Sequence, residues 1–260
     1  MSEQNEVAKE LIMKHIFNRL WKKESFSPSF IIGIWINPYF IIRKGLIKGV
    51  RNISTYVKGG SLLDVGCGSK PYREIFDVDE YIGIDVKVSG HNHSSSNIDK
   101  FYDGKTIPFE DDSFDHVFSS EVFEHVFDID EHLNEINRVL KVEGQLCFTC
   151  PFVWDEHEQP YDFARYTSFA VKHLLKKHGF ELVEFNKSTS YFETVFQMLS
   201  AYVFQHVLPN NKYVKLFLTP ILIAPINILG LILGKILPKA DGFYHNNIVV
   251  AKKTEKKQVS

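Results

Sequence analysis

The sequence predicts an α/β protein built on a doubly wound, largely parallel β-sheet. Two observations carry this. From residue 61, short apolar runs rich in β-branched residues (SLLDV, YIGIDV, HVFSS, QLCFTC, FELVEF) alternate with helix-like stretches, and strands separated by helices pair in parallel with both faces covered. A glycine pair, Gly66-Cys67-Gly68, directly follows the first run, where a strand-to-helix turn of such a sheet approaches a ligand.

Taken in order, residues 1–60 are expected to form an N-terminal helical cap. EVAKELIMKHIFNRLWKK sets Val7, Leu11, His15 and Leu20 among charged residues in a loosely amphipathic pattern. After the SFSPSF break, IIRKGLIKGVRNISTYV resumes helical spacing up to Gly59-Gly60, a plausible stop. Residues 61–190 form the expected core. Within it DIDEHLNEINRVLK carries Leu133, Ile136 and Leu140 on one face. TSFAVKHLLKKHG opens with a capping hydroxyl, is expected to bury Phe169, Leu174 and Leu175, and ends at Gly179. Residues 191–240 read as an apolar helical insertion, and residues 241–260 as a last strand (GFYHNNIVVAKK) with a charged tail.

Sheets of this kind bind ligands beyond the carboxyl ends of their strands, near the point where strand order reverses. A pyrophosphate loop for NAD or FAD wants G-x-G-x-x-G, but counting on from Gly66 the third position is Pro71. The other reading is S-adenosylmethionine, which carries no phosphate. It needs a bend that clears space for its amino-acid end and sulfonium, and carboxylates for its hydroxyls and amines. Asp85 ends YIGID about 20 residues beyond Asp64, where an acidic side chain accepts both ribose hydroxyls. Asp103, ahead of IPF, is placed to approach the adenine amine. Each aspartate alone could merely cap a loop; together with the glycine turn they favour cofactor binding.

Four pieces in order, LLDVGCGSKPY, YIGIDV, IPFEDDSFDHVFSSEVFEHV and RVLKVEGQLCFTCPF, resemble class I S-adenosylmethionine-dependent methyltransferases, tightly over 62–150 and loosely over 61–190. The resemblance implies a Rossmann-like sheet whose last strand is antiparallel. It implies that Asp64, Gly66, Cys67 and Gly68 surround the methionine moiety, that Asp85 with Val86 holds the ribose, and that Asp103 with Gly104 holds the adenine. Ser119, Ser120 and Glu121 should line the wall beside the transferable methyl. Cys67 is expected to pack rather than react.

A hydroxyl acceptor needs a base, and histidine suits that task near neutral pH. His157, in WDEHEQPYDFARYT, is the expected base or orienting group, with His125 as the alternative. That stretch gathers Trp154, Glu158, Tyr161, Asp162, Arg165 and Tyr166, the aromatic and charged types a sugar-binding surface uses. The competing reading is a loop braced by its own salt bridges, Arg165 pairing with Asp162 or Glu158. The stretch also resembles the H-E-x-P-x-D-x-x-R-Y-T pattern of bacterial methylases of surface-polysaccharide assembly. The expected acceptor is therefore a glycan or lipid-linked glycan precursor, with a quinone or lipid, or a non-catalytic scaffold, as rivals.

Residues 216–234, LFLTPILIAPINILGLILG, carry no charge and approach the ~20 apolar residues that span a bilayer. Pro220, Pro225, Asn227, Gly230 and Gly234 argue against a simple membrane helix, and a single crossing would strand the last strand. The expectation is an interfacial or re-entrant hairpin, or a helical pair on the protein itself, with peripheral membrane contact through 214–239 or a buried interface.

Thirty Lys and Arg against 32 Asp and Glu leave a formal charge of −2, the wrong balance for nucleic-acid binding driven by phosphate contacts. Three cysteines make no disulfide framework. Cys147-Phe-Thr-Cys150 lacks a second pair or a histidine cluster, so it reads as a buried strand and no metal is expected. Residues 1–25 lack the apolar core of a signal peptide, which with the cysteine usage points to the cytoplasm, at most peripheral to the inner membrane face.

Overall fold

The computed structural model describes residues 24, 26–87 and 97–255. The first amphipathic stretch expected in the sequence lies outside these residues. The described chain gathers into two units, one of residues up to 47 with Thr189–Gly242, the other of Lys48–Ser188 with the residues from Phe243 on. The residues around 48–60 thus group with the sheet rather than with the helices before them.

The second unit holds a seven-stranded sheet: β1 Ser61–Val65, β2 Glu80–Val86, β3 Lys100–Tyr102, β4 Phe114–Ser120, β5 Leu140–Pro151, β6 Phe180–Lys187 and β7 Asn246–Lys253. Their spatial order is β3-β2-β1-β4-β5-β7-β6. The first five strands pair in parallel, whereas β7 runs antiparallel to both β5 and β6. The chain winds outward from β1 to β3, then returns to start β4 beside β1. Strand order therefore reverses between β1 and β4, and the crevice beyond their carboxyl ends is where this architecture places a ligand. β3 was not anticipated, because three residues are too few to show a period.

The sheet is apolar on both faces, as parallel sheets must be: Leu63, Val65, Ile84, Val117, Leu146 and Phe148 share one face in one buried cluster, and the alternate residues Leu62, Phe118 and Cys147 are buried on the other. One covering helix, Ile129–Val139, starts where the Asp128 carboxylate accepts Glu131 N–H and buries His132, Leu133, Ile136 and Val139. Leu140, expected on this helix, is the first residue of β5. The other covering helix, Ser168–Lys177, opens on the expected cap, Thr167 Oγ1 accepting from Ala170 N, and gives way to Gly179 at φ 77°. It buries Val171 and Leu175, but Phe169 is 82% exposed. At 100° per residue Phe169 lies about 200° from Val171, on the opposite face.

The first unit is helical: α1 Phe30–Ile36, α2 Phe40–Ile53 (its last turns grouping with the sheet unit), α5 Tyr191–Tyr202 and α6 Lys212–Ile236, the two covering helices above being α3 and α4. α1 begins inside the expected break, capped by Ser29 Oγ, which accepts from Ile32 N. α6 is one 25-residue helix with Pro220 and Pro225 inside it, which corrects the expectation of a hairpin or a pair of helices within the run. Two features hold it. Gly230 and Gly234 give close approach to α5, since a Cβ at Gly230 would stand 2.5 Å from Phe196 Cβ. Asn227, fully buried, donates to the carbonyls of Ile34 and Asn37 and accepts from Ser200. Gln197, also fully buried, accepts from Ile41 N and Ile42 N and donates to Pro38 O, satisfying the orphan N–H groups that open α2. The opposite side of α6 is apolar and open: Tyr213, Phe217, Ile221, Ile232 and Ile236 are all exposed, as are Phe30, Ile31, Ile32 and Trp35 of α1.

Candidate functional site

The site lies in the sheet unit, on the carboxyl ends of β1, β2 and β4 and on the segments that follow β1, β3, β4 and β5. Gly66 and Gly68 turn the chain out of β1 with φ of 74° and 49°, a region most L-residues avoid. A side chain at Gly66 would collide with Val122, its Cβ 2.3 Å from Val122 Cγ2, whereas a Cβ at Gly68 would meet nothing within 4 Å. The second glycine therefore borders open space. Gly68 N donates to Asp85 Oδ2 at 2.8 Å and Val86 N to Asp85 Oδ1 at 2.8 Å, so the turn and the end of β2 hold one carboxylate in place. Each oxygen keeps a lone pair for a further donor.

Asp64 is buried and accepts from the Tyr81 hydroxyl. Burial pushes its carboxyl up to about 7 against the pull of that hydrogen bond, and the Asp85 charge adds to the rise. A carboxylate so placed favours a cationic neighbour. Cys67 is buried, and burial raises its thiol; it packs, as expected. Asp103 is exposed and its Oδ1 accepts from Lys105 N and Thr106 N, capping its own turn beside Gly104 at φ 82°.

The residues after β4 are more firmly engaged than the sequence implied. Ser119 is fully buried and donates to Val65 O, tying β4 to β1. Ser120 Oγ lies 2.9 Å from Thr149 Oγ1. Glu121 takes φ 56°, and its carboxylate accepts from Thr149 Oγ1 at 2.7 Å and from Asn246 Nδ2 at 2.6 Å. Left-handed backbone at a non-glycine strand end is a strain that surrounding bonds must hold, and here they come from β5 and β7.

His125 closes a one-turn helix, Phe123–His125, and the long helix begins at Ile129. Its Nδ1 lies 2.7 Å from Tyr161 O, and its ring meets that of His157 edge-on with centroids 4.8 Å apart. Burial holds His125 below the usual imidazole range. The two candidate histidines, 32 residues apart in sequence, are thus brought together. With them stands Glu124, which sequence reasoning missed although it sits in the same EVFEH stretch. Glu124 is 0% exposed, and neither of its carboxylate oxygens has a hydrogen-bond partner. Burial, then the Glu121 charge, raise its carboxyl well above the usual range.

The expected sugar-binding residues divide. All five N–H donors of Arg165 are engaged within its own loop. Two go to the Asp162 oxygens at 2.6 and 2.7 Å, and the rest to the carbonyls of Trp154, Asp155 and Ala164. Although burial opposes it, the Arg165 hydrogen bonds hold Asp162 down at about 2. Tyr166 is buried and its hydroxyl donates to Phe123 O. Asp162, Arg165 and Tyr166 therefore brace the loop and do not present donors to a sugar, as the competing reading held. Asn247, unremarked in the sequence, adds to the bracing by donating to Tyr166 O at 2.8 Å. Trp154 and Glu158 remain part-exposed and Tyr161 exposed.

Comparison with known proteins agrees with this geometry. A family model described as a methyltransferase domain matches residues 63–148. A sterol 24-C-methyltransferase of Schizosaccharomyces pombe is 33% identical over 141 residues, covering 49% of this chain and 34% of that protein. The chain thus spans about a third of that relative's length. Among solved structures, phosphoethanolamine N-methyltransferase 2 of Haemonchus contortus, in complex with S-adenosylmethionine, matches with a TM-score of 0.54 at 17% identity over 90% of this chain and 59% of that one. The [4+2]-cyclase SpnF matches with a TM-score of 0.53 at 18% identity over 82% of each chain. These structures share the fold, and two different activities on one fold mean that function must be argued from the site. The glycine turn open at Gly68, the backbone-held Asp85 and the buried Asp64 fit S-adenosylmethionine, the cofactor expected from the sequence, and residues 63–148 are those that match the methyltransferase domain.

Proposed function

We propose that the chain transfers the methyl group of S-adenosylmethionine to a hydroxyl oxygen of a lipid-borne acceptor at a membrane surface. The carrying observation is that the turn at Gly66–Gly68, its carboxylates, and the paired rings of His125 and His157 all lie at or just beyond the carboxyl ends of neighbouring strands. When bound, the cofactor supplies an electrophilic methyl on a sulfonium. Asp85 with Val86 holds its ribose hydroxyls, Asp64 faces its cationic amino-acid end, and Asp103 and Gly104 border the adenine. His157, beside His125, meets the acceptor oxygen and orients it or takes its proton; such positioning supplies much of the rate of a displacement.

The acceptor class rests on the helical unit. A soluble helix turns a polar face outward, yet α6 turns out Tyr213, Phe217, Ile221 and Ile236, and α1 adds Phe30 and Ile31. α6 is also long and apolar enough to cross a membrane by length and composition, with a mean hydropathy of 2.3. Because the chain must return to form β7, we read this helix as lying at the surface, its lysine-bearing ends at the headgroups. The sugar reading loses three of its six residues to loop bracing and keeps Trp154, Glu158 and Tyr161, so a lipid-linked sugar and a plain lipid or quinone both remain within the class.

The test is incubation of methyl-labelled S-adenosylmethionine with the protein and membranes of its native cells. Label that extracts into organic solvent and moves to the aqueous phase after mild acid identifies a lipid-linked sugar. Label that stays in the lipid identifies a lipid or quinone. Label confined to water-soluble products refutes the membrane acceptor. His157→Ala should lower turnover with cofactor affinity unchanged; equal loss of both would assign His157 a structural part.

A further inference from the structure

We propose that Glu124, His125 and His157 form a binding site for a first-row divalent metal cation, with zinc as the best chemical match. The site itself rests on geometry alone, and its role in methyl transfer rests on the function proposed above. No metal was expected from the sequence, because Cys147 and Cys150 have no second pair or histidine cluster to complete a site. Folding assembles one from the segments after β4 and β5, and one ligand atom from each of the three residues lies within 4.8 Å of the others.

Three features separate this cluster from an ordinary group of polar side chains. First, Glu124 is fully buried and unpartnered at both oxygens. A buried carboxylate without hydrogen bonds requires a cation or a proton, and the His125 imidazole stands beside it with Nε2 3.8 Å from Glu124 Oε1. Second, both rings are held in one tautomer. The Tyr161 carbonyl can only accept, so His125 Nδ1 carries the proton and Nε2 presents its lone pair to the cluster. His157 Nδ1 faces two acceptors, Asp155 O at 3.2 Å and Asp162 Oδ2 at 3.2 Å, so Nδ1 is its donor and Nε2 is left for the cluster. A metal-binding histidine characteristically donates its other N–H to a carbonyl or carboxylate in this way. Third, that support is itself rigid, because Asp162 is gripped by both terminal nitrogens of Arg165 and by His157 N.

The spacing is close to what a small cation needs. Bonds of ~2.0–2.2 Å in a tetrahedral site put neighbouring ligand atoms roughly 3.3–3.6 Å apart. His125 Nε2 is 3.8 Å from Glu124 Oε1 and the three ligand atoms lie within 4.8 Å of one another, so side-chain movements of roughly 1 Å close the site. Two imidazoles with a carboxylate suit zinc, cobalt or iron and not magnesium or calcium, which prefer oxygen. Three protein ligands leave a position for the acceptor hydroxyl, with Glu158 beside it. Coordination lowers the hydroxyl's pKa, and its proton passes to the Glu158 carboxylate. The oxygen lone pair then forms the O–C bond as the C–S bond breaks, its electron pair neutralising the sulfonium. The histidines thus orient the acceptor through the cation and do not themselves take its proton.

The test is calorimetric titration of zinc into chelator-treated full-length protein without cofactor or acceptor, with cobalt absorption as a second readout. One zinc per chain is expected, with cobalt bands of mixed nitrogen and oxygen ligation. His125→Ala, His157→Ala and Glu124→Gln should each weaken zinc by at least about 100-fold, and Asp162→Asn by about 10–100-fold. His173→Ala, an exposed histidine outside the cluster, should leave affinity unchanged. Thermal melts identify any variant that fails to fold, and the wild-type cobalt spectrum then decides alone. No stoichiometric zinc on the wild type, or zinc unmoved by His157→Ala in a folded variant, overturns the proposal. S-adenosylmethionine affinity is measured on the same protein. Cofactor binding without zinc binding defeats only the metal site, and zinc binding without cofactor binding defeats the transferase reading.

Discussion

Replacing Gly66 with alanine puts two separable physical penalties on one atom. The residue sits at φ 74°, where an L side chain costs about 1–2 kcal/mol. The added Cβ would also stand 2.3 Å from Val122 Cγ2 and 3.0 Å from Cγ1, an overpacking worth about 1–3 kcal/mol. Gly66→Ala should therefore destabilise the protein by about 2–5 kcal/mol. Val122→Ala removes both offending methyl groups and should cost about 1 kcal/mol by itself. The double variant should keep the dihedral penalty and lose the clash, leaving it about 1–3 kcal/mol more stable than additivity requires. Urea unfolding measures the cycle, and calorimetry measures S-adenosylmethionine on each folded variant. Cofactor affinity should fall at least about tenfold with Gly66→Ala, since a 1.4 kcal/mol displacement of the turn suffices, and should recover in part in the double variant. Additivity of the two changes within about 0.5 kcal/mol would refute the clash, and a neutral Gly66→Ala would refute the strained turn.

Three further outcomes follow from buried polar groups. Asp64 has its carboxyl raised to about 7, and the cationic end of the cofactor favours the ionised form. Affinity should then climb about tenfold per pH unit toward pH 7 and level off above it; Asp64→Asn with the same pH profile as wild type would refute this. His132 is buried with both ring nitrogens unpartnered, and burial depresses it to about 4. Its pKa is lower folded than unfolded, so stability is intact above about pH 6.5 and is lost by up to about 3 kcal/mol as pH falls through 4. His132→Leu should flatten that acid limb in denaturation curves, and an unchanged slope would count against it. Asn227→Ala leaves the Ile34 and Asn37 carbonyls and the Ser200 hydroxyl without their partner, and should cost at least about 2 kcal/mol in denaturant unfolding. A loss under 0.5 kcal/mol would show that water replaces the amide.

What the sequence by itself determined is local. Alternation of apolar runs with helical spacing gives the sheet, because the core face of each strand and helix is written in its own residues. The turn after β1 was legible for the same reason: the strand, Gly66, Gly68 and the acid ending the next strand lie within one short stretch. The Thr167 cap and the Gly179 stop were read from adjacent residues. What only the tertiary structure decided is which polar groups meet. Arg165 looks equally suited to a ligand or to its own loop until its five donors are seen to find acceptors within that loop. His125 and His157 become a pair, and Glu124 its buried neighbour, only when β4 and β5 lie side by side. Pro220, Pro225 and Asn227 look like helix breakers, yet α6 runs through them because Asn227 pairs with α1 and α5 and the glycines admit close packing. A side chain's own pattern fixes its face of an element. Its hydrogen-bond partner comes from segments distant in the chain, and only the folded backbone brings them within 3 Å.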